Sequence, residues 1–116
     1  MGHWQYSGLI PSDWVGFIYL IESPTGKKYV GRKNRYIKRS KKKESNWRTY
    51  TGSSKDLKAD IKHFGKDQFT FKILTFCGTL GALAIEETKE ILKRNALFSK
   101  QYYNKYIYLK LINSRK

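Results

Sequence analysis

Two short aromatic runs joined by a tight turn constrain this chain more than any other feature. Residues 16–21 read Gly-Phe-Ile-Tyr-Leu-Ile, residues 23–26 read Ser-Pro-Thr-Gly, and residues 27–31 read Lys-Lys-Tyr-Val-Gly. An apolar run, a Pro-x-Gly turn and a second apolar run specify a β-hairpin, with strands over about 15–22 and 27–32. The hairpin sets Tyr19 and Tyr29 on adjacent strands, and a dense run of cations follows at once. At 116 residues the chain has the length of one domain with a single modest core.

The charge is unevenly spread. There are 24 Lys and Arg against 9 Asp and Glu, a formal net charge of +15. Residues 1–26 contain no Lys or Arg. Residues 27–48 hold Lys27, Lys28, Arg32, Lys33, Arg35, Lys38, Arg39, Lys41, Lys42, Lys43 and Arg48 against Glu44 alone. A field concentrated in this way points to a polyanionic partner. A solvated loop, a nuclear-localisation-type run or a membrane-surface patch would explain the run by itself; the excess over the whole chain favours nucleic acid. The single cysteine, Cys77, excludes an internal disulfide and a Cys-based zinc site. No apolar run approaches the roughly 18 residues of a membrane span, and the N-terminus lacks the pattern of a signal peptide. The expectation is a reduced, intracellular protein.

Residues 1–14 read as a polar-aromatic N-terminal extension with His3, Trp4, Tyr6, Pro11 and Trp14. After the hairpin, residues 33–53 read as a long basic loop. Ser54 is a candidate N-cap for a helix over 54–64, with Asp56 in its first turn, Leu57, Ile61 and Phe64 on one face, and Gly65 as its stop. A third strand fits 69–76, with Phe69, Phe71, Ile73 and Thr75 facing one way. The longest helix is expected over 80–97, with Leu80, Leu83, Ala84, Glu87, Ile91 and Leu92 on one face. Residues 101–104 read as a turn, and 107–112 as a short strand or helix.

In this β-β-loop-α-β-α order the chain resembles the GIY-YIG nuclease superfamily, in particular its small phage-encoded, homing-type endonucleases. The residues carrying the resemblance are Gly16-Phe17-Ile18-Tyr19, Tyr29-Val30-Gly31-Arg32-Lys33, the stretch from Lys43 to Ser53, Phe64-Gly65-Lys66-Asp67-Gln68-Phe69, Glu86-Glu87 and Tyr103-Asn104. The ten-residue Tyr–Tyr spacing and the late glutamates make the pattern specific. One departure is that Gly16 stands one place early, because the first triplet is Phe-Ile-Tyr. The resemblance implies an α/β (α+β) domain over 15–104, with a small three-stranded antiparallel sheet flanked by helices. It leaves 105–116 as a basic, aromatic tail.

The resemblance also implies a mechanism. Phosphodiester hydrolysis needs a deprotonated water, a counter-charge for the phosphorane and stabilisation of the leaving oxyanion. A tyrosine is the general base in this family, here Tyr19, with Tyr29 flanking the water or phosphate. A phenol of pKa ~10 serves near neutral pH only if cations stabilise its phenolate, and the chain supplies cations in abundance. Ordinary strand packing is the competing explanation of both tyrosines. The family arginine falls on Arg39, and Lys43 stands where some relatives have a histidine. Lys33 is a second candidate cation, with Arg32 and Arg35 as the alternatives.

Glu87 shares a helical face with Leu83, Ala84 and Ile91 and so points toward the sheet, whereas Glu86 lies about 100° away, one residue's turn around the helix. Glu87 is therefore the expected ligand of one Mg²⁺ or Mn²⁺, an ion content with a single carboxylate and several waters. Asn104 matches a family position that supports the site from the C-terminal side, and would equally suit a turn. Arg32, Arg35, Lys38, Lys41, Lys42, Lys43 and Arg48 are the expected DNA contacts. The implied protein is a metal-dependent endonuclease acting on double-stranded DNA, with a homodimer as one route to cutting both strands, in the host cytoplasm if phage-encoded. A non-catalytic nucleic-acid-binding module of the same fold is the alternative, and a ribosomal-type RNA-binding protein a third.

Overall fold

The aromatic hairpin forms the middle and one edge of a three-stranded antiparallel sheet. The computed structural model describes residues 2–37, 43–96 and 99–104. Strand β1 (Gly16–Glu22) pairs with β2 (Lys28–Asn34) on one side and with β3 (Thr70–Cys77) on the other, giving the order β2-β1-β3. The turn between β1 and β2 is closed by Ser23, whose N–H donates to the Lys27 carbonyl and whose hydroxyl accepts from the Lys27 N–H. Gly26 sits there at φ 88, in the left-handed region that glycine enters freely.

Because β1 is central, both of its faces are buried, and alternation sorts its side chains into two cores. Phe17, Tyr19 and Ile21 join Trp4, Trp14, Tyr29, Trp47, Leu57, Phe71 and Tyr103 in an aromatic core. Ile18 and Leu20 join Val30, Cys77, Leu83, Ile91 and Ala96 in an aliphatic core under the long helix. Helix α1 (Lys55–Phe64) closes the aromatic side through Leu57, with Ser54 accepting from the Leu57 N–H and Gly65 ending it at φ 97. Helix α2 (Leu80–Lys93) closes the aliphatic side and is capped by Thr79, which accepts from the Ala82 N–H.

Two details depart from the sequence expectation. The β1–β3 register shifts between Ile18 and Tyr19, so that Ile18 faces Thr75 while Tyr19 faces Ile73. Leu74 is the extra residue of this bulge, and the alternation of β3 changes phase after it. Phe76, not Thr75, therefore joins the aromatic core, stacking edge-on with Phe17 and Tyr6. Helix α2 also stops at Lys93 instead of running to 97. Asn95 adopts φ 56, its N–H donates to the Leu92 carbonyl, and the Ala96 N–H donates to the Ile91 carbonyl. This is a Schellman stop with asparagine in the left-handed position and an Ala96–Ile91 apolar contact across it. Leu80 and Leu92, expected on the inner face, are exposed, because the sheet-facing stripe follows the Leu83 and Ile91 line. The expected element at 107–112 lies outside the described residues.

Both sheet edges are covered by the chain's terminal segments. Gln5 donates to the Phe71 carbonyl and accepts from the Ile73 N–H, so the N-terminal lead-in runs as a short parallel addition to β3. At the opposite edge Lys28 donates to the Gln101 carbonyl and accepts from the Tyr103 N–H. Asn104, fully buried, takes both outward groups of Val30: its Oδ1 accepts from the Val30 N–H at 3.1 Å and its Nδ2 donates to the Val30 carbonyl at 2.7 Å. Among the described residues this strap covers β2 only as far as Val30. The stretch from Gly31 onward is left as an open edge.

Gly31 and Gly16 are fixed by packing. A Cβ on Gly31 would collide with the Tyr19 hydroxyl, and one on Gly16 would come within 2.6 Å of Leu83 Cδ2. Gly31→Ala is expected to lower stability by about 1–3 kcal/mol, as overpacking does. Urea denaturation checks this, and an alanine variant of wild-type stability would mean that Tyr19 does not lie against Gly31.

Candidate active site

The residues that carry chemistry gather where β2 leaves the cover of its strap. Tyr19 reaches sideways from β1 across the bare Cα of Gly31, with only 1 % of its surface exposed. Tyr29 lies on the same face of β2, its ring centroid 6.0 Å from that of Tyr19, and its hydroxyl is 3.0 Å from Ser53 Oγ. Tyr50 completes the group, its ring edge-on to Tyr19 at 6.1 Å. Lys33, the next residue of β2 on that face after Gly31, carries its Nζ over the Tyr50 ring, 4.0 Å from the centroid.

The loop that delivers Tyr50 is held from the N-terminus. The Trp4 indole N–H donates to the Trp47 carbonyl, and His3 Nε2 donates to the Tyr50 carbonyl at 2.8 Å. His3 stacks on Phe71 at 4.0 Å, and its Nδ1 is buried without a partner. Burial lowers its pKa, helped by the Lys66 charge, so the neutral ring that makes this bond is favoured. Gly52, at φ 89 and close to both Leu57 and Tyr29, turns the chain from Tyr50 back to Ser53.

The other face of the open edge carries the carboxylate. Arg32 points to the α2 side, where its Nε lies 3.5 Å from Glu87 Oε1. The Glu87 side chain is 19 % exposed against 39 % for Glu86, which pairs outward with Lys89. Glu90 is equally covered but bound to Arg94 at 3.1 Å. Burial raises the Glu87 pKa, partly offset by Arg32. Its charge in turn acts on both Tyr19 and Tyr29, so carboxylate and phenols share one field across Gly31.

That field is not the one expected from the sequence. Burial pushes the Tyr19 phenol well above its ordinary value, and Tyr29, Tyr50 and Glu87 all push the same way. Tyr29 is raised too, chiefly by burial, with the Ser53 hydrogen bond opposing. In the free protein both phenols are held neutral. Lys33 is the described cation nearest the cluster, and burial lowers its own pKa.

The cations divide by employment. Arg35 is bound internally: it donates to Glu44 and to the Ser12 and Trp14 carbonyls, and its guanidinium stacks on Trp14. Arg48 shares Glu44 at 2.8 Å and lies over Trp47, with half of its side chain exposed. Arg32 and Lys43 are exposed. Lys38, Arg39, Lys41 and Lys42 lie outside the described residues. The flanks of that stretch are tied by the Ile37 N–H donating to the Lys43 carbonyl and the Ser45 N–H donating to the Arg35 carbonyl. Between these flanks and Tyr50 opens a groove of about 560 Å³ lined by Arg32, Lys33, Asn34, Tyr36, Ser45 and Tyr50, among others. Asn104 meets the site through the Val30 backbone rather than directly.

A hard divalent cation fits this setting. One carboxylate with little competition from other acids, beside a solvent-open groove, leaves room for the waters that Mg²⁺ or Mn²⁺ retains. Among the described residues no group of three or more His, Cys, Asp or Glu converges, so Glu87 would be the protein's single carboxylate at the ion.

An α+β domain with a phenol cluster, an inward carboxylate and a basic groove has the parts of a phosphodiester-cleaving site. The chain belongs to the family described as "Putative endonuclease segE, GIY-YIG domain", which it matches over residues 3–107. This is a family of nucleases, hydrolases that act on DNA and generally use divalent metal ions. No curated protein and no solved structure matches the chain. Among the described residues no helix is long and apolar enough to cross a membrane.

Tyr50, Ser53 and His3 were not singled out as site residues by sequence reasoning. The one signal for Tyr50 and Ser53 is the Tyr-x-Gly-Ser spacing around the turn at Gly52; nothing local marks His3.

The raised Glu87 pKa has a stability consequence. Its ionisation costs stability, so the cost is absent below about pH 4 and grows as pH rises through the raised value. Glu87→Gln is therefore expected to raise the melting temperature at pH 8, with the gain vanishing toward pH 4. A variant less stable at pH 8 would show that the Arg32 pairing outweighs the burial of the charge.

Proposed function

We propose that this protein is a divalent-metal-dependent endonuclease that hydrolyses phosphodiesters in double-stranded DNA, with Tyr19 as the general base and Glu87 as the metal ligand. The observation that carries this reading is the convergence of the Tyr19 hydroxyl and the Glu87 charge on Gly31, at an open strand edge beside a basic groove. A packing role alone requires neither a glycine under the phenol nor a costly inward carboxylate.

In this reading the exposed side chains of Arg32, Lys43 and Arg48 meet phosphates and hold the duplex over the groove. Lys33 offsets the charge that develops when a phenol accepts the proton of the attacking water. Tyr29, tied to Ser53, walls the water in. A bound divalent ion at Glu87 would polarise the scissile phosphate and stabilise the leaving oxygen. Arg39 is assigned to the phosphorane by resemblance to the family. One such site cuts one strand, so a double-strand break takes a second copy or a second visit.

A non-catalytic DNA-binding module of the same fold is the second reading, favoured by the neutral state of both phenols in the free protein. Plasmid nicking and gel-shift affinity measured side by side separate the two. Tyr19→Phe, which keeps the ring, is expected to lower cleavage ~10²-fold or more, and Glu87→Gln to abolish it, both with DNA affinity retained. Wild-type protein that binds DNA but never nicks it in Mg²⁺ or Mn²⁺ would leave the binding module. Cleavage undiminished in both variants would place the chemistry elsewhere.

A further inference from the structure

Tyr19 is almost fully buried, and it is not among the residues that line the groove. A general base has to come within hydrogen-bond reach of the proton it takes, directly or through one intervening group. Tyr50 is half-buried and does line the groove, while packing edge-on against Tyr19. The two phenols are also hydrogen-bonded to one another. On its groove side Tyr50 carries the Lys33 ammonium over its ring, 4.0 Å from the centroid, the one cation contact made by a member of the phenol cluster lining the groove among the described residues.

Its position is also built. His3 Nε2 holds the Tyr50 carbonyl, Trp4 holds the neighbouring carbonyl of Trp47, and the Tyr50 N–H turns back to Trp47. A tyrosine that merely filled space at the rim would need no such fixing of its backbone from a segment 47 residues away.

We propose that Tyr50 is a further catalytic residue, the groove-side half of a two-phenol relay through which the attacking water delivers its proton to Tyr19. The inference rests on the reading of Tyr19 as base. The water O–H bond breaks as its oxygen bonds to phosphorus. That proton goes to the Tyr50 oxygen, and the proton Tyr50 held passes to the Tyr19 phenolate, which ends as a phenol. No redox partner is involved, and the negative charge stays within the pair beside Lys33. The relay assigns burial a use: Tyr19 is kept dry, and only Tyr50 meets the substrate side.

The test is single-turnover cleavage of a plasmid by Tyr50→Phe, by Tyr19→Phe, and by a protein carrying 3-fluorotyrosine at position 50 alone, each followed against pH. Phenylalanine keeps the ring against Tyr19 and Lys33 and removes only the hydroxyl. The relay predicts a loss of ~10²-fold or more for Tyr50→Phe with DNA affinity retained. It also predicts that the more acidic fluorophenol shifts the rising limb of the pH–rate profile to lower pH. A Tyr50→Phe enzyme of wild-type rate beside an inactive Tyr19→Phe would overturn the relay and leave Tyr19 as base. Loss in Tyr50→Phe without any shift from fluorotyrosine would make Tyr50 a positioning residue and overturn it as well. Full activity in both phenylalanine variants would remove Tyr19 and the relay together.

Discussion

The contact between the Tyr19 phenol and the bare Cα of Gly31 is the constraint on which the site depends. It lets a side chain of the central strand cross its neighbour and reach the open edge, where a Cβ would have blocked it. The aromatic core follows from it: a phenol lying flat between strands must be walled by large rings, and Trp4, Tyr29 and Tyr50 supply them. So does the position of the strap. Asn104 satisfies both outward groups of Val30 and stops there, so the strand is held firmly up to the residue before the glycine and left free beyond it.

The electrostatics of the site trade stability for readiness. Glu87 is kept half-covered on the sheet side of α2 with a single long ion pair to Arg32, and burial raises its pKa. A carboxylate so placed costs stability unless a cation joins it. Both phenols are neutral for the same reason, desolvation. Elsewhere charges are satisfied locally: Glu44 is pulled down by Arg48 and Arg35 together, which ties the basic excursion to the body of the domain.

Much of this fold was legible because the local signals agree with one another. Ser54 and Gly65 bound a helix at the positions their chemistry requires, and the Pro-x-Gly turn closed the hairpin it specified. The misreadings have definite causes. Apolar spacing continues past Lys93, but Asn95 takes the left-handed conformation and ends the helix. The phase of β3 changes at Leu74 because of a bulge fixed by pairing with β1, which periodicity in one strand cannot reveal. The inward turn of Glu87 could be read from helical geometry, since its neighbours at three and four residues are apolar. The structural employment of Arg35 could not, because its acceptors at Ser12, Trp14 and Glu44 are brought in by the tertiary fold. Tyr50 and His3 escaped for the same reason: their significance lies in a contact 47 residues apart. Arg39 lies outside the described residues.

A crystal structure of the Glu87→Gln variant bound to a DNA duplex tests the central claim most directly, since cleavage is blocked while the groove is intact. The account predicts a backbone phosphate in the groove beside Arg32, Lys33 and Tyr50, on the open side of Gly31. A duplex seated elsewhere, for instance along Gln5 and Lys72 at the far edge of the sheet, with this groove unfilled, would contradict it.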